Sequence, residues 1–155
     1  MSPEEQALAI VLGLLPQSQI PYMLTGSVAT SYHGRPRARH DADIVIDPTA
    51  EQLEGLVAAL AVAGFYVDAD AARRALDGRG FFNAIEGTHA CKIDLIVKRG
   101  RPFSHEAFER RLRVNLPFAQ DVFIVTPEDA VPSKLEWARR SGASERLTWV
   151  AALRN

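Results

Sequence analysis

The sequence predicts an α+β domain in which a mixed sheet is flanked by helices. Short apolar segments of strand length alternate with longer segments whose apolar residues recur at helical spacing. Two of the short segments, residues 81–86 and 90–97, are separated by a Gly-Thr turn, which is typical of an antiparallel hairpin. The chain has 155 residues, enough to bury a core without disulfides, so we expect one domain spanning residues 1–155.

The helices are predicted from capping residues, glycines and prolines. Ser2-Pro3-Glu4-Glu5 is a capping box with proline at the first helical position, so a helix begins there and ends before Pro16. Thr126-Pro127-Glu128-Asp129 is a similar signal for the start of a helix. The predicted helices are residues 3–15, the segment between Ser27 and Gly34, residues 50–63, residues 69–76 (a helix or an irregular turn), residues 103–112, residues 127–140 and residues 144–155.

The strands are predicted where apolar, β-branched and aromatic residues run between turn residues. Asp77-Gly78-Arg79-Gly80 is predicted to be a loop because it combines two glycines with polar residues. The predicted strands are residues 22–24, 41–46, 65–67, 81–86, 90–97 and 122–125.

Two aspartates open the second strand, one residue apart. Side chains alternate between the faces of a strand, so Asp41 and Asp43 point the same way, with Cα atoms about 6.5–7 Å apart. Two carboxylates so placed repel each other unless a cation lies between them, and Mg²⁺ is the usual one. The alternative is a strand-end turn, where aspartate is favoured without any metal.

Gly26-Ser27 stands between the first strand and the short helix that follows it. One interpretation is structural, with Ser27 as a helix cap. The other places backbone N–H groups and the Ser27 hydroxyl against a phosphate at the start of the helix. The aspartates downstream favour the second interpretation, because a phosphate and a divalent cation bind together in many enzymes.

Taken in order, these residues resemble the polymerase-beta-like nucleotidyltransferases, in particular small bacterial members related to abortive-infection and toxin–antitoxin systems. The resemblance covers residues 22–46, 90–97 and 123–140. It implies a nucleotidyltransferase fold and a third carboxylate, Asp94, inside a later apolar strand. The motifs that carry it are Gly26-Ser27, then after thirteen residues Asp41-Ala42-Asp43, and Lys92-Ile93-Asp94-Leu95-Ile96-Val97.

The resemblance also implies roles for these residues. Asp41 and Asp43 would bridge two Mg²⁺ ions, and Asp94 would hold the ion that activates the acceptor hydroxyl. Gly26 and Ser27 would hold the β- and γ-phosphates of a nucleoside triphosphate, for which ATP is the expected identity. A strand-end role explains one aspartate well but accounts poorly for three in this order.

Two basic residues are candidate supports for the phosphates. Arg37 belongs to a run of alternating arginines, residues 35–39, just before the aspartates, and arginine grips phosphate oxygens in a fork. Lys134 matches a lysine that relatives carry one or two turns into the helix after Thr126-Pro127. The alternatives are a solvated loop arginine and a lysine on a helix surface.

The sequence departs from the family pattern at two places. Arg39 stands where a threonine or serine is common, two residues before the first aspartate. Arg146 leads into Leu147-Thr148-Trp149, where relatives commonly place an aspartate soon after the arginine. Both departures concern residues outside the carboxylate triad, so they weaken the transfer of an acceptor-specific function and leave the metal site intact.

Composition excludes several other classes of protein. No apolar run reaches the length of a membrane span, and the acidic N-terminus lacks a signal-peptide pattern, which favours a cytoplasmic protein. The single cysteine, Cys91, excludes an internal disulfide and a cysteine-rich zinc site. A net charge of −1 gives no global attraction to nucleic acid.

Three functions therefore remain open at the level of the sequence. The first is an active transferase that places a nucleoside monophosphate on a protein, an RNA end or a small molecule. The second is a catalytically silent relative that acts as a binding partner, for instance of a cognate toxin or antitoxin. The third is an antibiotic-modifying nucleotidyltransferase. The intact carboxylate triad favours activity over the silent alternative.

Overall fold

The computed structural model describes residues 1–33 and 42–130, without the side chains of residues 27, 30 and 31. Helices and strands alternate in the way that the sequence predicts for an α+β chain. The helices are α1 (Pro3–Gln17), α2 (Gly26–Tyr32), α3 (Ala50–Val62), α4 (Ala69–Gly78) and α5 (Pro102–Glu109). The strands are β1 (Tyr22–Thr25), β2 (Ala42–Ile46), β3 (Phe65–Tyr66), β4 (Phe81–Glu86), β5 (Lys92–Val97), β6 (Leu112–Leu116) and β7 (Ala119–Ile124).

The strands form a mixed seven-stranded sheet in the order β3-β4-β5-β2-β1-β7-β6. The pairs β2–β5 and β1–β7 are parallel, and the other neighbours are antiparallel. Parallel pairing of β2 with β5 requires a long crossover, which α3, β3, α4 and β4 supply. The sheet therefore brings together residues that lie far apart in the chain.

The two faces of the sheet are covered unequally. Side chains of α1, α3 and α4 pack on one face around Leu24, Ile44 and Leu95, all fully buried, and form the main core. A smaller apolar cluster on the other face joins Met23 of β1 to Ala29 of α2 and Phe108 of α5. Within residues 1–33 and 42–130 the second face is the less covered one, and we call it the open face. No helix in the described ranges is both long and apolar enough to cross a bilayer.

The structure corrects several predicted boundaries. The helix predicted over 103–112 ends at Glu109, and Leu112 begins β6, which the sequence analysis missed. Its alternating residues Leu112, Val114 and Leu116 were a period-two signal hidden by the helical spacing before them. β6 is a strand because it pairs with β7 through its backbone. That pairing is not visible in local sequence.

Two further boundaries were wrong for local reasons. Pro16 lies inside the last turn of α1, where its missing N–H removes only one bond near the helix end. The loop predicted over 77–80 begins two residues later than predicted, because α4 continues through Gly78. Asp68 caps the start of α4 by accepting from two backbone N–H groups, and Arg79 ends it in the left-handed conformation.

Replacing Thr49 by alanine is expected to lower the free energy of unfolding by about 1 kcal/mol. The Thr49 hydroxyl accepts from the Gln52 N–H, and the Gln52 side chain accepts from the Thr49 N–H, so α3 begins with a complete capping box. Urea unfolding measures the change. Thr49→Ser keeps the hydroxyl and is the matched control; an equal loss in both variants would contradict a capping role.

Candidate active site

Four polar residues form a row across the open face of the sheet. Asp43 of β2 pairs in register with Asp94 of β5, on parallel strands. Thr25 of β1 lies opposite Asp43, and Asn83 of β4 lies opposite Asp94. Neighbouring strands are about 4.8 Å apart, so the row runs Asn83, Asp94, Asp43, Thr25 at that spacing. We call these four residues the polar row.

The alternation of side chains places the polar row on the open face. Ala42, Ile44 and Ile46 of β2 are buried in the main core, while Asp43 between them is only partly buried. β5 repeats the pattern, with Ile93 and Leu95 buried on either side of a partly buried Asp94. The apolar residues hold both strands onto the helices, and the same pleat turns both carboxylates toward the opposite side.

Asp94 has a basic neighbour on the same face. The Nζ atom of Lys92 lies 3.9 Å from the Oδ1 atom of Asp94, and the lysine side chain is largely exposed. An ion pair of this kind contributes little to stability because water screens it. It does offset part of the negative charge that Asp43 and Asp94 concentrate at one place.

Gly26 connects the polar row to α2. Its φ of 77° lies in the left-handed region, which a side chain would strain, and its backbone bridges to Ala42 at the start of β2. The first turn of α2 therefore begins beside Thr25 and β2. At the other end of the helix, the Nε2 atom of His33 lies 2.9 Å from the Val125 carbonyl oxygen. Nothing in the local sequence marks His33 for this contact, because its partner is 92 residues away.

No protein-family model matches the sequence, and no match to a curated protein was found. Solved structures do match. A protein of Thermotoga maritima described as a candidate nucleotidyltransferase has a TM-score of 0.61 at 14% identity, covering 97% of this chain and 96% of that one.

Two further structures are similar over nearly the whole chain. ANT(2″)-Ia in complex with adenylyl-2″-tobramycin has a TM-score of 0.57 at 16% identity, covering 99% of this chain and 98% of that one. An antigenic nucleotidyltransferase-like protein from Paracoccidioides brasiliensis has a TM-score of 0.58 at 16% identity, covering 99% and 77%. The chain has a nucleotidyltransferase fold. The predicted α+β class is confirmed with it.

Within the nucleotidyltransferase fold, the predicted site residues divide into two groups. The structure brings Asp43 and Asp94 together in the polar row and places Gly26 at the turn beside it, with Ser27 next along α2. The other predicted site residues lie outside the described ranges: Asp41, Arg37 and Lys134.

The donor atoms of the polar row suit a hard divalent cation. Carboxylate and amide oxygens are the ligands that Mg²⁺ takes in proteins, and the row offers two carboxylates and one amide. No group of three His, Cys, Asp or Glu residues that could hold a metal occurs in ranges 1–33 and 42–130, and Asp41 lies outside them. The chemistry of Asp43, Asp94 and Asn83 thus fits a hard divalent cation such as Mg²⁺.

A cavity of about 450 Å³ lies on the other side of the sheet, beside the starts of β2 and β5. Its walls include Leu8, Val28 and Ile93, which belong to the main core, so it does not contain the polar row. Cys91 also lines it. Burial raises the pKa of this thiol, and the charges of Glu4 and Glu86 raise it further, so Cys91 is protonated at neutral pH and is a poor nucleophile.

Proposed function

We propose that the protein transfers a nucleoside monophosphate from a nucleoside triphosphate, with ATP as the expected donor, to a hydroxyl group of an acceptor, and that the reaction requires Mg²⁺. The observation that carries the proposal is the pairing of Asp43 with Asp94 on the open face of a nucleotidyltransferase fold. Folding concentrates two carboxylates there at the cost of their repulsion. A site that binds a cation explains that arrangement.

In this proposal the protein acts mainly by positioning and by charge. The acceptor oxygen forms a bond to the α-phosphorus, the bond to pyrophosphate breaks, and the hydroxyl proton passes to Asp94 directly or through water. Asp41 and Asp43 would hold the divalent cations, which would supply charge neutralisation at the attacking and leaving oxygens. The fold contributes the fixed spacing between Asp43 and Asp94, because the strand ladder sets it.

The phosphates of the donor are assigned to the segment that starts α2. The positive φ of Gly26 lets the chain turn between β1 and α2, and the Gly26–Ala42 bridge holds this turn, which Ser27 follows, at the start of β2. A phosphate bound there would lie within reach of the polar row. Arg37 and Lys134 are proposed as additional phosphate contacts on chemical grounds.

The acceptor remains one of three classes: a protein, an RNA end or a small molecule. The structural similarity to ANT(2″)-Ia, solved with an adenylylated tobramycin, supports the small-molecule class and with it an antibiotic-modifying function. A role beside a cognate toxin or antitoxin, including that of a catalytically silent partner, is the competing proposal. Incubation with α-labelled ATP and Mg²⁺ tests for transfer, and label retained on any acceptor would support the active proposal.

ATP binding is expected to depend on Mg²⁺ and to weaken by about 10–100-fold in the double variant Ser27→Ala, Lys134→Ala. The reason is the loss of hydrogen bonds to a charged phosphate. Isothermal titration of ATP measures the affinity with and without Mg²⁺. Thr88→Ala, at the exposed turn between β4 and β5, is the control and should bind ATP as the wild type does. Equal affinity with and without Mg²⁺ would count against the whole proposal.

A further inference from the structure

Asn83 lies at the end of the polar row, directly opposite Asp94 on the antiparallel strand β4. Its Oδ1 atom is buried and has no hydrogen-bond partner within the described part of the chain. The flanking residues Phe82 and Ala84 point into the main core, so the alternation of β4 directs Asn83 to the open face. A buried amide oxygen therefore stands beside a carboxylate that the proposed function assigns to the reaction.

An unpartnered buried amide oxygen is unusual in a folded protein, since burial removes its bonds to water without replacement. The cost is larger here, because Asp94 beside it also carries acceptor oxygens. A cation held at Asp94, or a water molecule bound to that cation, would satisfy the Asn83 oxygen. Leucine has nearly the shape of asparagine and would fill the same place without an orphaned oxygen. A purely structural role does not explain the amide.

We propose that Asn83 supplies a neutral oxygen to the coordination shell of a hard divalent cation held at Asp94, directly or through one bound water. This inference rests on the proposed function. A neutral ligand has a physical advantage at this position, because it adds an oxygen without adding charge next to Asp43 and Asp94. It would orient the water or hydroxyl group beside Asp94, which makes Asn83 a positioning residue of the proposed reaction.

The test uses the full chain and Mn²⁺ alone as the probe, followed by electron paramagnetic resonance of free Mn²⁺ and by melting scans. Asn83→Leu is expected to weaken Mn²⁺ binding by about 10–100-fold. In the metal-free protein the same change should leave the melting temperature unchanged or raise it by about 2–4 °C, because it removes an unsatisfied buried acceptor. Asn83→Asp should retain Mn²⁺ binding and melt lower without metal, since it adds a third carboxylate to the row.

Asn115→Leu is the matched control. Asn115 lies on β6 at the far edge of the sheet, where its Oδ1 accepts from the Asp121 N–H, so its loss should not change Mn²⁺ affinity. If Asn83→Leu melts lower than the wild type and binds Mn²⁺ normally, the inference is wrong. If Asp43→Asn loses Mn²⁺ binding in the same experiment, the proposed function still stands. Absence of Mn²⁺ binding by the wild type would overturn both. If Asn83→Leu does not fold, weaker Mn²⁺ binding in Asn83→Asp would overturn the inference by itself.

Discussion

Asp43→Asn is expected to abolish nucleotidyl transfer and, at the same time, to stabilise the metal-free protein. Asp43 and Asp94 are paired across neighbouring strands, where two carboxylates about 4–5 Å apart repel by roughly 1–4 kcal/mol at intermediate dielectrics. Lys92 near Asp94 offsets part of that repulsion. A net gain of about 1 kcal/mol would raise the melting temperature by roughly 2–4 °C in a domain of this size.

Mg²⁺ with ATP should reverse the order of stability. Ligand bound only to the native wild type stabilises it by about 2.7 kcal/mol at a hundred times its Kd, whereas the variant has lost a ligand for the cation. Loss of even an outer-shell partner of a metal site costs about 10–100-fold, so loss of Asp43 should reduce transfer by at least about 100-fold. Melting scans with and without Mg²⁺-ATP, together with labelled-ATP transfer, measure both effects.

Asp47→Asn is the matched control for this prediction. Asp47 follows the same strand, and its carboxylate lies 4.0 Å from the Nζ atom of Lys98, so the change removes one weak ion pair. It should leave transfer unchanged and should not raise the melting temperature. If Asp43→Asn destabilises the metal-free protein and Mg²⁺-ATP shifts neither form, Asp43 is a structural residue and the silent-partner proposal is favoured.

Arg110→Ala is expected to lower the melting temperature by several degrees, more than the loss of a fully exposed ion pair would. Arg110 at the end of α5 donates two parallel hydrogen bonds to Asp129, at 3.0 and 2.9 Å, and Asp129 is buried. Removal of the arginine leaves the buried Asp129 carboxylate without these two charged hydrogen-bond donors. The loss should be smaller than that for a fully buried pair, because half of the Arg110 side chain is exposed.

The hydrogen bond to Asp129 holds the pKa of Arg110 above its ordinary value, so the guanidinium stays charged. The double variant Arg110→Ala, Asp129→Ala should be more stable than Arg110→Ala alone, since it removes the uncompensated charge. Urea unfolding of the wild type, Arg110→Ala, Asp129→Ala and the double variant forms a double-mutant cycle, which measures the coupling between Arg110 and Asp129. Arg113→Ala is the control, because its pair with Asp121 joins two exposed side chains and should cost less than about 0.5 kcal/mol. Equal losses for Arg110→Ala and Arg113→Ala would contradict the prediction.

This ion pair also bears on the proposed site. Residues 127–130 are helical, and Asp129 joins them to α5, with the Thr126 hydroxyl accepting from the Asp129 N–H. Lys134 follows that segment in the chain. Loss of the pair should therefore weaken ATP binding as well as stability if Lys134 contacts phosphate, and it should affect stability alone if Lys134 does not.

Local signals in the sequence were sufficient for most of the fold. The capping boxes at Ser2 and Thr49 begin α1 and α3, because side chains within three residues satisfy the free N–H groups of the helix. The hairpin of β4 and β5 follows from a short turn between two apolar runs. β6 was missed, since a strand that is mostly exposed at the sheet edge has a weak apolar pattern and owes its conformation to its partner.

The sequence by itself identified the candidate site residues and the faces of their strands. The alternation of apolar and acidic residues in β2 and β5 already places Asp43 and Asp94 on polar faces of their strands, because the apolar neighbours must be buried. Gly26 was identified by its type, and the structure shows the positive φ that this position requires. These properties depend on a residue and its neighbours in the chain.

Only the tertiary structure decided which of these residues meet. The register that sets Asp43 against Asp94 joins strands about fifty residues apart, and a shift of one position would turn one carboxylate to the other face. Asn83 drew no attention in the sequence, since nothing local distinguishes it from a surface asparagine. The pairing of β4 with β5 places Asn83 in the polar row. That pairing depends on how the whole sheet buries its apolar residues, which no single strand reveals.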